Sequence, residues 1–354
     1  MNKKLESPRL RELDFLRGVA VLGVVMVHVG QKFPTGVALF DSGTSYGQLG
    51  VQLFFFVSAL TMCFMWGARE KESGRVWKFY VRRFFRIAPL FWLAIPFYLS
   101  IYGVGASYWA PEGIGIRQVL LTATFLHGFY PDSINSVVPG GWSIAVEMTF
   151  YLFFPLLAIH VRERRLVYLS LSILVWFLYA VFLRKWLEVF LGGDVLVKGF
   201  LHLNFLNQAP VFLLGCYLYY ALKEGVDWSD FLLVALWVGL GYASKKFLGV
   251  EGLGFVYTYI CMGAVVYFSM SLGVKFSLLE KLGKRSYAIY LIHFSLIYIL
   301  SKLMLPLNSV AVFFIALLIV SGAAYFIAGI LGRYVEDNVH SWVSKRLGAS
   351  SVPK

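Results

Sequence analysis

Ten runs of apolar residues, each long enough to cross a bilayer as a helix, leave this chain of 354 residues few alternatives. They lie at 13–31, 48–67, 84–102, 141–160, 166–183, 206–222, 229–246, 252–272, 286–305 and 309–332. Hydrocarbon offers a backbone N–H or C=O no partner, so a spanning segment closes its hydrogen bonds within itself as a helix, or between strands in a closed barrel. The period-2 alternation of barrel strands is absent here. The expected fold is therefore all-α, a polytopic integral membrane protein of about ten transmembrane helices. Composition agrees, with 59% hydrophobic and 14% charged residues. Residues 1–354 read as one transmembrane domain, with no appended soluble domain expected.

The formal net charge of +13 does not point to nucleic acid, because the basic residues sit in short segments between apolar runs rather than on one face. Orientation in the membrane accounts for them. With ten spans both termini share a side, and of the Lys and Arg residues 24 fall on that side or at its borders and 8 on the other. The positive-inside rule then places both termini in the cytoplasm of a multi-pass protein, with membrane lipid as its solvent. The first run, Phe15 to Val29, carries Arg17 and His28 and lacks a small-x-small cleavage site, so it reads as a retained helix rather than a signal peptide. Cys63, Cys216 and Cys261 show no metal-ligand spacing and read as reduced packing residues, with no metal site expected. The apolar segment 117–130 is too short to span and reads as interfacial or re-entrant. It lies in the longest non-cytoplasmic connection, 103–140, for which a lid or acceptor groove and a mere connector are both open readings.

Ionisable groups inside spans are costly, which makes each a functional candidate. Asp14 and Arg17 stand at the cytoplasmic end of the first run and His28 in its outer half. Eleven residues separate Arg17 from His28, three helical turns and a rise of roughly 16 Å, so the two share a face. A phosphate at Arg17 would send a pantetheine arm up that face toward His28. The alternative is a His hydrogen-bonded between helices. Arg83 and Arg86, at i and i+3, offer two guanidiniums that suit phosphate oxygens, or a lipid-headgroup anchor. In the fourth run Ser143, Glu147 and Tyr151 repeat every four residues beside Trp142 and line one face, with Glu147 the one carboxylate well inside a span. It would orient an acceptor hydroxyl or steady a protonated imidazole, or else make a buried interhelical hydrogen bond. Ser286, Tyr290 and His293 share a face of the ninth run, where packing and chemistry are both open. His127 reads as interfacial, and His160, His202 and His340 show no comparable pattern.

Five separated motifs run along most of the chain: RELDFLRGVAVLGVVMVH at 11–28, GVQLFFFVSAL at 50–60, RRFFRIAPLF at 82–91, GWSIAVEMTFYLFFP at 141–155 and LGKRSYAIYLIHF at 282–294. In order and spacing they resemble the acyltransferase-3 family of membrane-bound acyltransferases. The resemblance implies transfer of an acyl group, commonly acetyl, from cytoplasmic acyl-CoA (acetyl-CoA) to a hydroxyl of a cell-envelope glycan or glycolipid at the bacterial cytoplasmic membrane. It makes His28 and Glu147 catalytic and Arg17, Arg83 and Arg86 the acyl-CoA-binding residues. Apart from the resemblance, Asp14, Trp142, Ser143, Tyr151, Tyr290 and His293 are read as acceptor-binding or supporting residues. The second motif ends in Ser58-Ala59 where the family has Ser-Gly, a change that bears on helix packing. Some members add an extracytoplasmic SGNH-type hydrolase domain, which is not expected here. The competing class is a glycan or lipid transporter or flippase with His28 and Glu147 as a proton relay, which covalent acyl transfer would distinguish.

Overall fold

A computed structural model describes residues 11–250, 253–305 and 307–347. Among them there is no strand, only an isolated bridge between Ser107 and Ala110. The helices are α1 (Arg11–Lys32), α2 (Ala38–Ser45), α3 (Leu49–Gly67), α4 (Arg75–Tyr102), α5 (Ile116–Ala123), α6 (Gly141–His160), α7 (Arg165–Phe177), α8 (Arg184–Phe190) and α9 (Val195–Leu203). They continue with α10 (Phe205–Glu224), α11 (Trp228–Leu248), α12 (Leu253–Leu272), α13 (Ser277–Lys284), α14 (Ser286–Leu303), α15 (Val310–Leu331) and α16 (Asp337–Arg346). Ten helical stretches among the described residues are long and apolar enough to cross a membrane, as the apolar runs require.

Several boundaries differ from the sequence reading, and the third run begins at Arg75 rather than 84. The fifth run does not stop at 183, because a π turn at Leu178–Leu183 carries α7 on into α8. The sixth run is preceded by α9 and begins where Asn204 breaks the helix, its side chain accepting from the N–H groups of Leu206 and Asn207. The tenth run likewise passes 332 through a π turn at Gly332–Glu336 into α16. A π turn keeps backbone bonds closed while changing direction, and polar residues beyond an apolar run do not prevent it.

Burial separates a centre from a periphery. In α3 and α10 the apolar stretches are 72% buried within the bundle, against 17% in α11 and 22% in α12. The centre is tied by backbone contact: a methyl added at Gly47 would fall 2.2 Å from the Gly23 carbonyl oxygen, and one at Gly215 2.5 Å from that of Phe56. Lipid drives no hydrophobic association of helices, so small residues that admit close backbones supply the packing.

The basic connection 273–285, between the eighth and ninth apolar runs, contains α13, which docks on the start of α1. Arg11 donates two bonds to Glu280, at 2.7 and 3.0 Å, and Lys275 lies 3.5 Å from Glu12. At the far ends of the helices the connection 103–140 is no free strap. Ile134 joins Val197, Phe200 and Leu201 of α9 in a small separate core against Trp109 and Trp142. Cys63 and Cys216 are buried as packing residues, whereas Cys261 is exposed on a peripheral helix.

Candidate active site

Helices α1, α3, α4, α6 and α14 enclose a cavity with about 660 Å³ of empty space, its open mouth included. Its polar wall comprises Arg17, Ser58, Arg83, Arg86, Glu147 and Tyr151, with Ser143, Ser286, Tyr287 and Tyr290 completing it. Three guanidiniums and one carboxylate from three helices thus face one space. Arg17 is held on two sides, by Asp14 Oδ1 at 3.3 Å and by Thr61 Oγ1 at 2.6 Å. Arg86 is exposed at the mouth. Arg83 has its guanidinium carbon 6.0 Å from the centre of the Tyr151 ring, and its Nε is buried without a hydrogen-bond partner among the described residues.

Glu147 is reached by two hydroxyls. Ser58 donates to Oε1 at 2.5 Å and Tyr151, one turn further along α6, donates to the same oxygen. Two hydroxyl donors on two helices thus converge on one carboxyl oxygen. Nearby, the Ser143 and Tyr290 hydroxyls are 2.8 Å apart and each lies 3.0 Å from the Gly140 carbonyl oxygen. Gly140 is a residue for which glycine is needed, since its φ is +76° and a methyl there would sit 2.9 Å from the Tyr290 hydroxyl.

His28 is not part of the cavity wall, although Arg17 is. It stands behind Tyr290, its ring centre 5.4 Å from that of His293 and 4.4 Å from that of Phe294. Tyr290 and His293 have ring centres 5.7 Å apart, so Tyr290 connects the imidazoles to the cavity. Nδ1 of His28 faces Gln31 Oε1 at 2.9 Å. That oxygen only accepts, so the hydrogen of a neutral His28 is on Nδ1 and Nε2 carries the free lone pair. Trp142 packs edge-on against Phe55 of the cavity wall, at 5.9 Å. His127, read as interfacial, is fully enclosed: it bonds the Gly141 carbonyl at 3.0 Å and stacks on Phe91, and burial pushes its pKa down to about 4. His160 and His202 lie outside the cavity wall, and His340 belongs to α16.

Sequence reasoning passed over Ser58, Thr61 and Gln31. Ser58 and Thr61 are one turn apart on α3, and that i, i+3 pair of hydroxyls in an apolar run is the signal that was there to find. The partner of Ser58 lies 89 residues away in sequence, which no local pattern discloses.

Comparison with known proteins decides the family. The model of an acyltransferase domain matches residues 10–332. The chain belongs to the acyltransferase-3 family. It is 29% identical over 324 residues to acyltransferase MdmB of Streptomyces mycarofaciens, covering 82% of this chain and 79% of that one. It is 26% identical over 346 residues to O-acetyltransferase OatA of Staphylococcus aureus (strain NCTC 8325 / PS 47), covering 83% of this chain and 52% of that one. The chain thus spans about half the length of OatA. No solved structure matches. As a family member with ten apolar spans, it is a multi-pass membrane acyltransferase.

Proposed function

We propose that the protein is an O-acyltransferase of the bacterial cytoplasmic membrane that takes an acyl group, acetyl in the simplest case, from cytoplasmic acyl-CoA. The acceptor is a hydroxyl of a cell-envelope carbohydrate or glycolipid. The observation that carries this reading is the cavity in which Arg17, Arg83 and Arg86 face Glu147. Arginine forks match phosphate oxygens, and a cluster of three inside a membrane bundle suits the polyanionic head of CoA. The bias of Lys and Arg toward the side of both termini supports a mouth on the cytoplasmic face.

From phosphates at the arginines, the pantetheine arm runs along α1 toward His28, a rise of roughly 16 Å. The thioester then meets the acceptor hydroxyl beside Tyr290. His28 takes the hydroxyl proton on Nε2 while the oxygen bonds to the acyl carbon; the C–S bond breaks and the leaving thiolate takes that proton. A neutral imidazole suits the role because its ordinary pKa is close to the working pH. Glu147, held by Ser58 and Tyr151, fixes the charge balance among the arginines.

The test is acyl transfer by purified protein from radiolabelled acetyl-CoA to envelope glycan. Label is expected in the glycan and lost in His28→Ala. Unlabelled glycan, with glycan carried intact across proteoliposomes, would make the protein a transporter instead.

A further inference from the structure

His293 is fully buried in α14, and the structure leaves one of its nitrogens without a partner. Its Nδ1 lies 2.7 Å from the Tyr290 carbonyl oxygen. A carbonyl only accepts, so a neutral His293 carries its hydrogen on Nδ1 and presents a bare lone pair at Nε2. The same logic, applied to Gln31, leaves His28 bare at Nε2. Two imidazoles in the same tautomer therefore lie side by side, with ring centres 5.4 Å apart and planes inclined by 32°.

That separation is within reach of a direct bond: two imidazoles joined by one N–H···N bond of about 3 Å have centres roughly 5 Å apart, since each nitrogen lies about 1 Å from its ring centre. Nε2 of His293 has no partner among the described residues and is open to accept a hydrogen bond. A proton on Nε2 of His28 would supply the hydrogen that such a bond needs.

We propose that His293 is a positioning residue for the acyl-transfer step: once His28 has taken the acceptor proton on Nε2, that N–H donates to Nε2 of His293. The inference rests on the acyltransferase reading above. The bookkeeping of the step is unchanged: the O–H bond of the acceptor and the C–S bond of the thioester break, the C–O bond of the ester and the S–H bond of CoA form. His293 exchanges no proton in the net reaction. It holds the imidazolium in place while the thiolate leaves, and Phe294 packs against both rings, with centres 4.4 Å from His28 and 4.1 Å from His293.

The experiment measures acetyl transfer by wild type, His293→Leu, His293→Gln and His293→Asn, each checked for a monodisperse folded peak. His293→Leu is expected to lose about tenfold or more in kcat with KM for acetyl-CoA within about twofold, because only the transition state carries the proton. His293→Gln, whose Oε1 replaces the Nε2 acceptor, should recover much of that loss, and His293→Asn, whose oxygen stands at the Nδ1 site, should not. In a His28→Ala background His293→Leu should cost nothing further. An active wild type with His293→Leu at wild-type kcat, or with Gln and Asn equally impaired, overturns the pair. If His293→Leu fails to fold, the Gln and Asn comparison decides alone. A wild type that transfers no acetyl overturns the acyltransferase reading, and the pair's role falls with it.

Discussion

Ser58 Oγ lies 2.5 Å from Glu147 Oε1, a hydrogen bond that joins two transmembrane helices, and the Tyr151 hydroxyl donates to the same oxygen. A carboxylate inside a bilayer is stabilised only by such partners, and with both donors on one oxygen its orientation is set before any ligand arrives. Ser58→Ala removes one bond to a charged group, worth about 1.5–3 kcal/mol, and should lower the thermal midpoint. Glu147→Gln keeps the size and removes the charge, and should leave a folded protein with acyl transfer reduced by about 10²-fold. Wild-type rates from purified Glu147→Gln would take the carboxylate out of the chemistry.

The buried Nε of Arg83 has no protein partner among the described residues, whereas Arg17 is already bonded to Asp14 and Thr61. Arg83 is therefore the guanidinium with capacity to spare for phosphate. Arg83→Ala and Arg86→Ala should each weaken CoA binding by about tenfold or more, the loss of a charge-assisted bond, with Lys restoring only part because an ammonium lacks the fork. Isothermal titration with CoA measures this. An unchanged Kd would assign these residues to lipid headgroups.

The spans were legible because the bilayer imposes one rule on every residue of a run, and the motif residues Arg17, Arg83, Arg86 and Glu147 stand together in the cavity. What was not legible depends on distance in sequence. The pairing of Ser58 with Glu147 and the docking of α13 on α1 are contacts between segments 89 and 269 residues apart. The shared helical face of Arg17 and His28 points both toward one space, but only Arg17 lines the cavity; His28 packs on His293 and Phe294 of α14, and periodicity in one helix carries no information about what another inserts.

The docking of α13 depends on two glycines. A methyl at Gly283 would fall 1.8 Å from the Asp14 carbonyl oxygen and one at Gly18 2.0 Å from that of Leu279, backbone atoms that cannot rotate away. Gly283→Ala should destabilise the protein by about 1–3 kcal/mol or more through overpacking. Gly43→Ala, in helix α2 with nothing within 4 Å of the added carbon, should be neutral or stabilising by up to about 1 kcal/mol. Thermal unfolding of the two variants in detergent compares them. Equal midpoints would mean that α13 moves away from α1 at little cost.

Orientation is tested at two exposed sites on opposite ends of α4. A cysteine at Ser73 should be shielded from a membrane-impermeant thiol reagent in intact cells and one at Glu112 should react, following the distribution of Lys and Arg. The reverse labelling would invert the protein and take acyl-CoA away from the arginine cavity.

His127 supplies a pH prediction whose sign is determined. Its ring is buried beside Phe91, and with Nε2 donating to the Gly141 carbonyl the neutral form fits the site. Burial lowers its pKa to about 4, while in the unfolded chain the ordinary value is about 6.5. As pH falls below about 6.5 the unfolded chain takes up the proton first, so the stability from the neutral ring is fully present above that pH and is lost as pH falls toward about 4. Across that window the slope contributed is at most one proton's worth, about 1.4 kcal/mol per pH unit. Thermal or urea midpoints of wild type between about pH 7.5 and 4.5 should therefore decline more steeply than those of His127→Gln, which keeps a donor but cannot titrate. Parallel curves would show that His127 titrates alike in the folded and unfolded chain. Gly141 is the first residue of α6, the helix that presents Ser143 and Glu147 to the cavity, so protonation of His127 loosens the start of that helix. In the folded protein the ring takes up its proton only near pH 4, so acyl transfer by wild type should lose this contribution only as pH approaches about 4.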